Sequence, residues 1–284
     1  MAARMCRWLL MLVAVSSLSW TSLRGQKAPA IPDLLKVAAD SLVQYAQQLG
    51  TVAADEEFTQ YDTATGRMGT PKRLNSVVVF YGQTDGVVAT FRDVVGIDTV
   101  PVRPKDNRLV ALFQGPTASV TSAQSMTEDA IRAYHSPSLR VLDNPMAALD
   151  LLRSANQGTY TYKIEGSKTM DGAQVAVLKF TEQGKGHVLT DAAAIGRYWI
   201  EPATGTIHQT ELGFVIAGAN IHATVRFTKD AQLGVFVPLE LYEQIESSSA
   251  GSGFNNMGAG GNANRQAMEG RARYGGYRRV TAQR

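Results

Sequence analysis

The sequence predicts an α+β protein in which one antiparallel sheet of about ten strands is preceded by a helix and interrupted by a helical block. Three observations carry this reading. Apolar residues step by threes and fours from Leu34 to Leu49, a period of two dominates Val52 to Val95 and returns from Thr159 onward, and between Asp106 and Arg153 that alternation fails.

The first helix opens at Pro32, carries Leu34, Leu35, Val37, Ala38, Leu42, Val43, Tyr45, Ala46 and Leu49 at three- and four-residue steps, and stops at Gly50. Proline is at home in a first turn and glycine just past a last one. Its apolar face requires a partner surface. Val52 to Tyr61, Arg73 to Tyr81 and Val87 to Val95 follow as three consecutive strands, rich in β-branched and aromatic residues and separated by Gly, Pro and Asp turns. In the interruption, Asn107 to Phe113, Ser125 to Tyr134 and Pro145 to Arg153 read as helices, with Asn144 as a cap ahead of Pro145.

From Thr159 the strands are Thr159 to Glu165, Gln174 to Thr181, Gly196 to Glu201, Thr206 to Val215, Ile221 to Phe227 and Val235 to Tyr242, closed by a last strand near Gly270 to Arg279. Alternation of Ile221, Ala223, Val225 and Phe227 with His222, Thr224 and Arg226 marks a sheet with one apolar and one wet face. Ser247 to Met268, rich in Gly, Ser and Asn with few large apolar residues, reads as a mobile loop between the last two strands.

Residues 1–25 carry Arg4 and Arg7, an apolar run from Trp8 to Val15 and then small polar residues, the order of a secretory signal. Ala28-Pro29-Ala30 matches the small-x-small rule and Gly25 sits at a suitable distance; cleavage at the favoured Gly25 leaves 26–284 as a single domain, placed in the periplasm or outside the cell. The lone cysteine, Cys6, precedes the apolar run, so it is wrongly placed for lipid attachment. The remaining chain has no thiol, which excludes disulfides and leaves stability to the core.

Net charge is +3, and charges of both signs are interspersed, so no polyanionic partner is indicated. Arginines 265, 271, 273, 278, 279 and 284, with Tyr274 and Tyr277 between them, admit two readings. One is a phosphate-binding, base-stacking patch. The preferred one is a charged last strand guarding a sheet edge against aggregation. Nucleic acid is excluded on the grounds of secretion.

Catalytic chemistry is not signalled. There is no Gly-x-Ser-x-Gly elbow, no cysteine nucleophile, no phosphate-cradling glycine loop and no His-Glu-x-x-His spacing among His135, His187, His208 and His222. By alternation His208 and His222 face opposite sides of the sheet, which argues against a shared metal. Glu56 and Glu57 likewise diverge and read as solvated strand charges, Glu240 and Glu243 lie near Glu246, and Arg92, Asp93, Asp98, Arg103, Lys105, Asp106 and Arg108 read as an ion-pair network at a strand-to-helix junction. The expectation is a non-enzymatic protein without metal or cofactor.

The order helix, three strands, helical insertion and meander resembles the half-barrel of bacterial lipoprotein carriers and related periplasmic lipid-binding proteins. More narrowly, FRDVVGIDTVPVRPKDNRLVALF (Phe91 to Phe113), LDNPMAALDLL (Leu142 to Leu152), GRYWIEPATGTIHQTEL (Gly196 to Leu212), VPLELYE (Val237 to Glu243) and GRARYGGYRR (Gly270 to Arg279) resemble an uncharacterised family of secreted bacterial proteins. The chain departs from that pattern at Pro104-Lys105, where an Asp-Arg pair is usual.

The resemblance implies a strongly curved sheet wrapped around the first helix and the helical block, with a lipid or lipidated peptide held against its concave face. It nominates Phe91, Tyr160, Tyr162, Phe180, Trp199, Phe214 and Phe227 as lining residues, each of which would also serve as plain core. The helical block becomes a lid using Leu109, Leu112, Phe113, Ile131, Leu149 and Leu152. Partners are then a lipid or lipidated protein, with peripheral membrane contact, and the protein acts as a monomer. The alternative is a periplasmic or surface interaction module whose core is filled by its own side chains, with Ser247 to Met268 and the last strand making the contacts.

Overall fold

The computed structural model describes residues 29–62, 70–134, 142–183, 189, 193–216, 219–248 and 265–281. Residues 1–25, read from the sequence as a secretory signal, and residues 249–264 of the Gly/Ser-rich stretch lie outside these residues. Helix α1 (Ile31–Leu49) is followed by strands β1 (Thr51–Asp62), β2 (Lys72–Gly82), β3 (Val88–Ile97) and the short β4 (Val100–Pro101). Helices α2 (Arg108–Ala111), α3 (Val120–Tyr134) and α4 (Ala147–Leu151) come next. Strands β5 (Tyr160–Met170), β6 (Ala173–Glu182), β7 (Ile195–Ile200), β8 (Ile207–Ile216), β9 (Ala219–Lys229), β10 (Phe236–Ser248) and β11 (Arg265–Arg279) complete the chain.

The 11 strands among the described residues form one open sheet in the order β4-β3-β2-β1-β11-β10-β9-β8-β7-β6-β5, every pair antiparallel. Two meanders are thus joined by pairing the first strand with the last. Helix α1 touches β2 and also β5, at the far end of the sheet. Eight strand spacings on a flat sheet would cover roughly 38 Å, whereas a helix is only about 10–12 Å across, so the sheet curls around α1 as an open half-barrel.

The concave face is one continuous apolar core. It takes Leu42, Ala46 and Leu49 from α1, Leu149 and Leu151 from α4, and residues such as Phe58, Phe80, Phe180, Leu212, Phe227 and Leu241 from the strands. Gly82 shows how closely α1 is seated: a Cβ there would lie 2.0 Å from the Ala46 carbonyl oxygen. On the convex side Ala53, Val77, Val79, Phe91 and Val95 form a second, smaller core with Leu109, Val110, Phe113 and Ala123 of the helical block.

The insertion is therefore not a single lid. Leu109 and Phe113, expected over the concave face, cover the convex face instead. Leu149 of α4 and Leu152 just after it enter the concave core, where Ala130 of α3 joins them. Helix α3 runs along the open side of β3, where the Arg92 N–H donates to Thr127 Oγ1 at 2.8 Å, and so occupies part of an edge that β4 alone is too short to cover.

The last strand is interior, not an edge. Strand β11 lies between β1 and β10, which corrects the edge-guard reading of its arginines. Nor do its tyrosines offer a stacking platform. The register shifts opposite Ala53 and Asp55, and Gly276 there has φ 61°, so the strand gains a residue. That bulge brings Tyr274 and Tyr277, three apart, onto the same buried side, with ring centroids 6.0 and 6.3 Å from Phe80. The flanks of the stretch from Ser247 to Met268 are also strand, paired from Ser248↔Arg265 to Ile245↔Met268.

Candidate functional site: a cleft between the first helix and the concave sheet

The site is built by two turns that reach α1. Between β7 and β8, Gly205 donates its N–H to the Glu201 carbonyl at 2.8 Å and adopts φ 73°, a conformation that favours glycine. A Cβ at Gly205 would lie 2.5 Å from the Val37 carbonyl oxygen, so this turn abuts the middle of α1. Between β9 and β10, Asp230 Oδ1 accepts the N–H groups of Gln232 and Leu233 at 2.9 and 2.8 Å, the pattern of an Asx turn.

Arg279 ties the second turn to α1. Its guanidinium donates to the carbonyls of Gln48 and Leu49 at 2.6 Å each and to that of Leu233 at 3.4 Å. The helix C-terminus carries carbonyls without intrahelical partners and a partial negative charge, and a cation answers both.

Between these turns and the C-terminal half of α1 lies a cleft of about 290 Å³. Leu42, Leu149, Ile207, Phe227, Val235 and Phe236 provide its apolar surface, while Ser41, Gln44, Gln48, Thr204, Thr206 and Lys229 are its polar residues. Tyr45 also lines it; its hydroxyl is buried with no hydrogen-bond partner among the described residues, and burial pushes its pKa up. Such a concave surface, with apolar and polar groups in about equal measure, suits a small amphiphilic ligand.

The seven aromatic residues nominated from the sequence separate into three groups. Phe227 alone lines the cleft. Tyr160, Phe180 and Phe214 are buried in the concave core, with Tyr162 packed against it; Phe180 stacks on Tyr198 at 4.8 Å and meets Tyr160 edge-on at 5.6 Å. Phe91 and Trp199 are on the other side of the sheet. Phe91 packs on Phe113 at 5.4 Å, and Trp199 packs with Val175 and Val177 beneath Lys168. Strand alternation is the physical reason: Phe91 and Trp199 are out of phase with the residues that face α1. Tyr45, Lys229 and Phe236 were not nominated, because nothing local distinguishes them from other residues of an amphipathic helix or a strand end.

The charged junction also divides by alternation. Arg92 points to the concave side, where its Nε and Nη2 donate to Glu56 at 2.6 and 3.0 Å and its guanidinium reaches Asp143 Oδ1 at 3.2 Å and the Asp143 carbonyl at 2.9 Å. Glu56 is buried, not a solvated strand charge. Asp93 points to the convex side and receives Arg103 at 2.9 Å and both Nε and Nη2 of Arg108 at 2.6 Å. Burial pushes the Asp93 carboxyl up to about 6, against the pull of Arg103. Lys105 pairs elsewhere, with Asp55 at 2.7 Å.

Glu243 is buried on the concave side too, and its Oε2 accepts the Leu142 N–H at 3.1 Å. Asn144 Oδ1 accepts from Thr90 Oγ1 at 2.7 Å and from the Met146 N–H at 2.9 Å. Three successive residues, 142 to 144, are thus fastened to β10 and β3 just before α4. His208 lies inward and His222 outward; His208 packs edge-on against Phe236 at 5.1 Å, while His222 Nδ1 is 3.4 Å from the Leu212 carbonyl. No cluster of His, Cys, Asp and Glu among the described residues is placed to hold a metal.

No protein-family model matches the sequence, and no curated protein matches it. Solved structures do. A DUF1329 family protein from Desulfovibrio piger matches with a TM-score of 0.40 and 11% identity, over 89% of this chain and 95% of that one. A domain of the outer membrane lipoprotein-sorting type from Vibrio parahaemolyticus gives 0.38 and 13%, over 88% and 93%. A LolA superfamily protein from Nitrosomonas europaea gives 0.33 and 13%, over 87% and 94%. At these values function rests on the geometry of the chain itself.

Proposed function

We propose that this protein is a non-catalytic binder of a hydrophobic ligand, a lipid or the lipid-modified part of a peptide, acting outside the cytoplasm. The observation that carries the reading is the cleft between α1 and the concave sheet, whose apolar wall is continuous with the main core and whose rim is polar. The remaining concave face is filled by packed side chains, so the ligand occupies the end of the half-barrel beneath the C-terminal half of α1 rather than its full width. No described helix is long and apolar enough to cross a membrane. Placement outside the cytoplasm rests on the charged, apolar and small-residue order of residues 1–25.

Native mass spectrometry of the protein purified from its own host, followed by solvent extraction, tests the reading. An adduct that extraction releases as a lipid is the expected result. Bare protein under the gentlest conditions, together with no binding of added lipid, would overturn it.

A further inference from the structure

The cleft combines apolar side chains with polar ones in about equal measure, and its one charged lining residue among those described is a cation, Lys229. Lys229 is exposed at the end of β9 and makes no ion pair with any described residue. The neighbouring carboxylates are engaged by their own turns: Asp230 accepts the N–H groups of Gln232 and Leu233, and Glu201 Oε2 accepts from Thr204 Oγ1 at 3.0 Å. Arg279, bound to the carbonyls at the end of α1, adds a second positive charge on this side of the molecule.

Gln44 and Gln48, one turn apart on α1, bring amide donors to the same cleft. The buried Tyr45 hydroxyl is a further donor without a partner. A long neutral chain would satisfy the apolar wall and leave Lys229 and the two glutamine amides facing only water. An acidic head would meet a lysine and amide donors at the mouth while its chain reached Leu42, Leu149 and Phe227. At about 290 Å³ the cleft stands at the small end of ligand pockets, which run from roughly 300 to 1,000 Å³, and it suits one chain rather than several.

Building on the proposed lipid-binding role, we infer that the ligand is a single-chain amphiphile with an anionic head, and that Lys229 selects that charge. The head lies at the mouth between Lys229 and α1, and the chain enters beneath the helix. Exposure of Lys229 sets the size of the effect, because an ion pair open to water contributes only modestly and is screened by salt.

The test compares decanoate with decanol, which share a chain and differ in charge, by isothermal titration against the full folded protein. Decanoate should bind about fivefold more tightly at low salt, as expected for a well-placed exposed charge pair. The preference should shrink at high salt. Within Lys229→Gln, decanoate should bind no more tightly than decanol, and within Lys229→Glu it should bind less tightly than decanol. Equal binding of both probes, unmoved by either substitution, would overturn the charge selection while leaving the hydrophobic cleft standing. Binding of neither probe would overturn both.

Discussion

Arg92 and Glu56 form a two-pronged ion pair inside the half-barrel, with Nε–Oε2 at 2.6 Å and Nη2–Oε1 at 3.0 Å and side-chain exposures of 1% and 0%. They sit on β3 and β1, two strands apart, so the pair spans β2. Through Asp143 the same guanidinium holds the segment that leads into α4.

Removing one partner leaves a buried charge without its counterpart, which costs about 3–5 kcal/mol. Arg92→Ala should therefore lower unfolding free energy in urea by that amount, and pairing Arg92→Met with Glu56→Leu should recover much of the loss. A single substitution costing under about 1 kcal/mol would show that the pair carries no structural weight.

The seat of α1 on β2 admits no added atom. Gly82→Ala places a methyl group 2.0 Å from the Ala46 carbonyl oxygen, so helix or strand must shift, at about 1–3 kcal/mol. Gly158→Ala, with nothing within 4 Å, should stay within about 0.5 kcal/mol of the parent. Thermal melts of the two variants check the contrast.

Asp150 gives a pH signature. Burial pushes its carboxyl up to about 6 from an ordinary 3.8, with Arg153 opposing and Asp85 reinforcing. A carboxyl raised in the folded state binds its proton more tightly there than when unfolded. Its contribution to stability is therefore greatest at low pH and falls as pH rises from about 4 through 6. Asp150→Asn removes that loss, so it should gain on the parent across this window and be more stable near neutrality by about 1–2 kcal/mol, after allowance for partial exposure. Urea titrations of parent and variant across the window measure the difference; a flat difference contradicts the shift.

Because the helical insertion divides between the two faces of the sheet, its response to ligand should divide as well. Hydrogen exchange should slow on ligand addition in residues 41–48 of α1 and in the turns at 201–206 and 230–235. It should stay unchanged in α3, which lies at the edge of β3 away from the cleft. Uniform slowing across 108–151 would restore the idea of one lid over the concave face.

Local periodicity was enough to place α1, ten of the strands and the three helical segments, because each of those signals lies within a dozen neighbouring residues. The two-residue β4 is too short to carry a period. The pairing of β1 with β11 joins residues such as Phe58 and Ala272, and no local pattern encodes so distant a contact. Glu56 was misread for a related reason: alternation correctly sent it to the face opposite Glu57, but its partner Arg92 is on another strand. Tyr274 and Tyr277 share a side only because of the bulge at Gly276, which breaks the period of two. Of the candidate site, Phe227 was found because it stands in a cleanly alternating strand, whereas Lys229 and Gln44 acquire meaning only when the turns bring strand ends to the helix.

The central claim is that the cleft beneath α1 holds the ligand, and blocking it is the most direct test. Gln44 lines the cleft and Gln47, also exposed on α1, does not. In native mass spectrometry with added decanoate, the parent and Gln47→Trp should carry the bound mass and Gln44→Trp should lose it, all three keeping the same melting temperature. Equal ligand occupancy in all three proteins would contradict the assignment of the cleft.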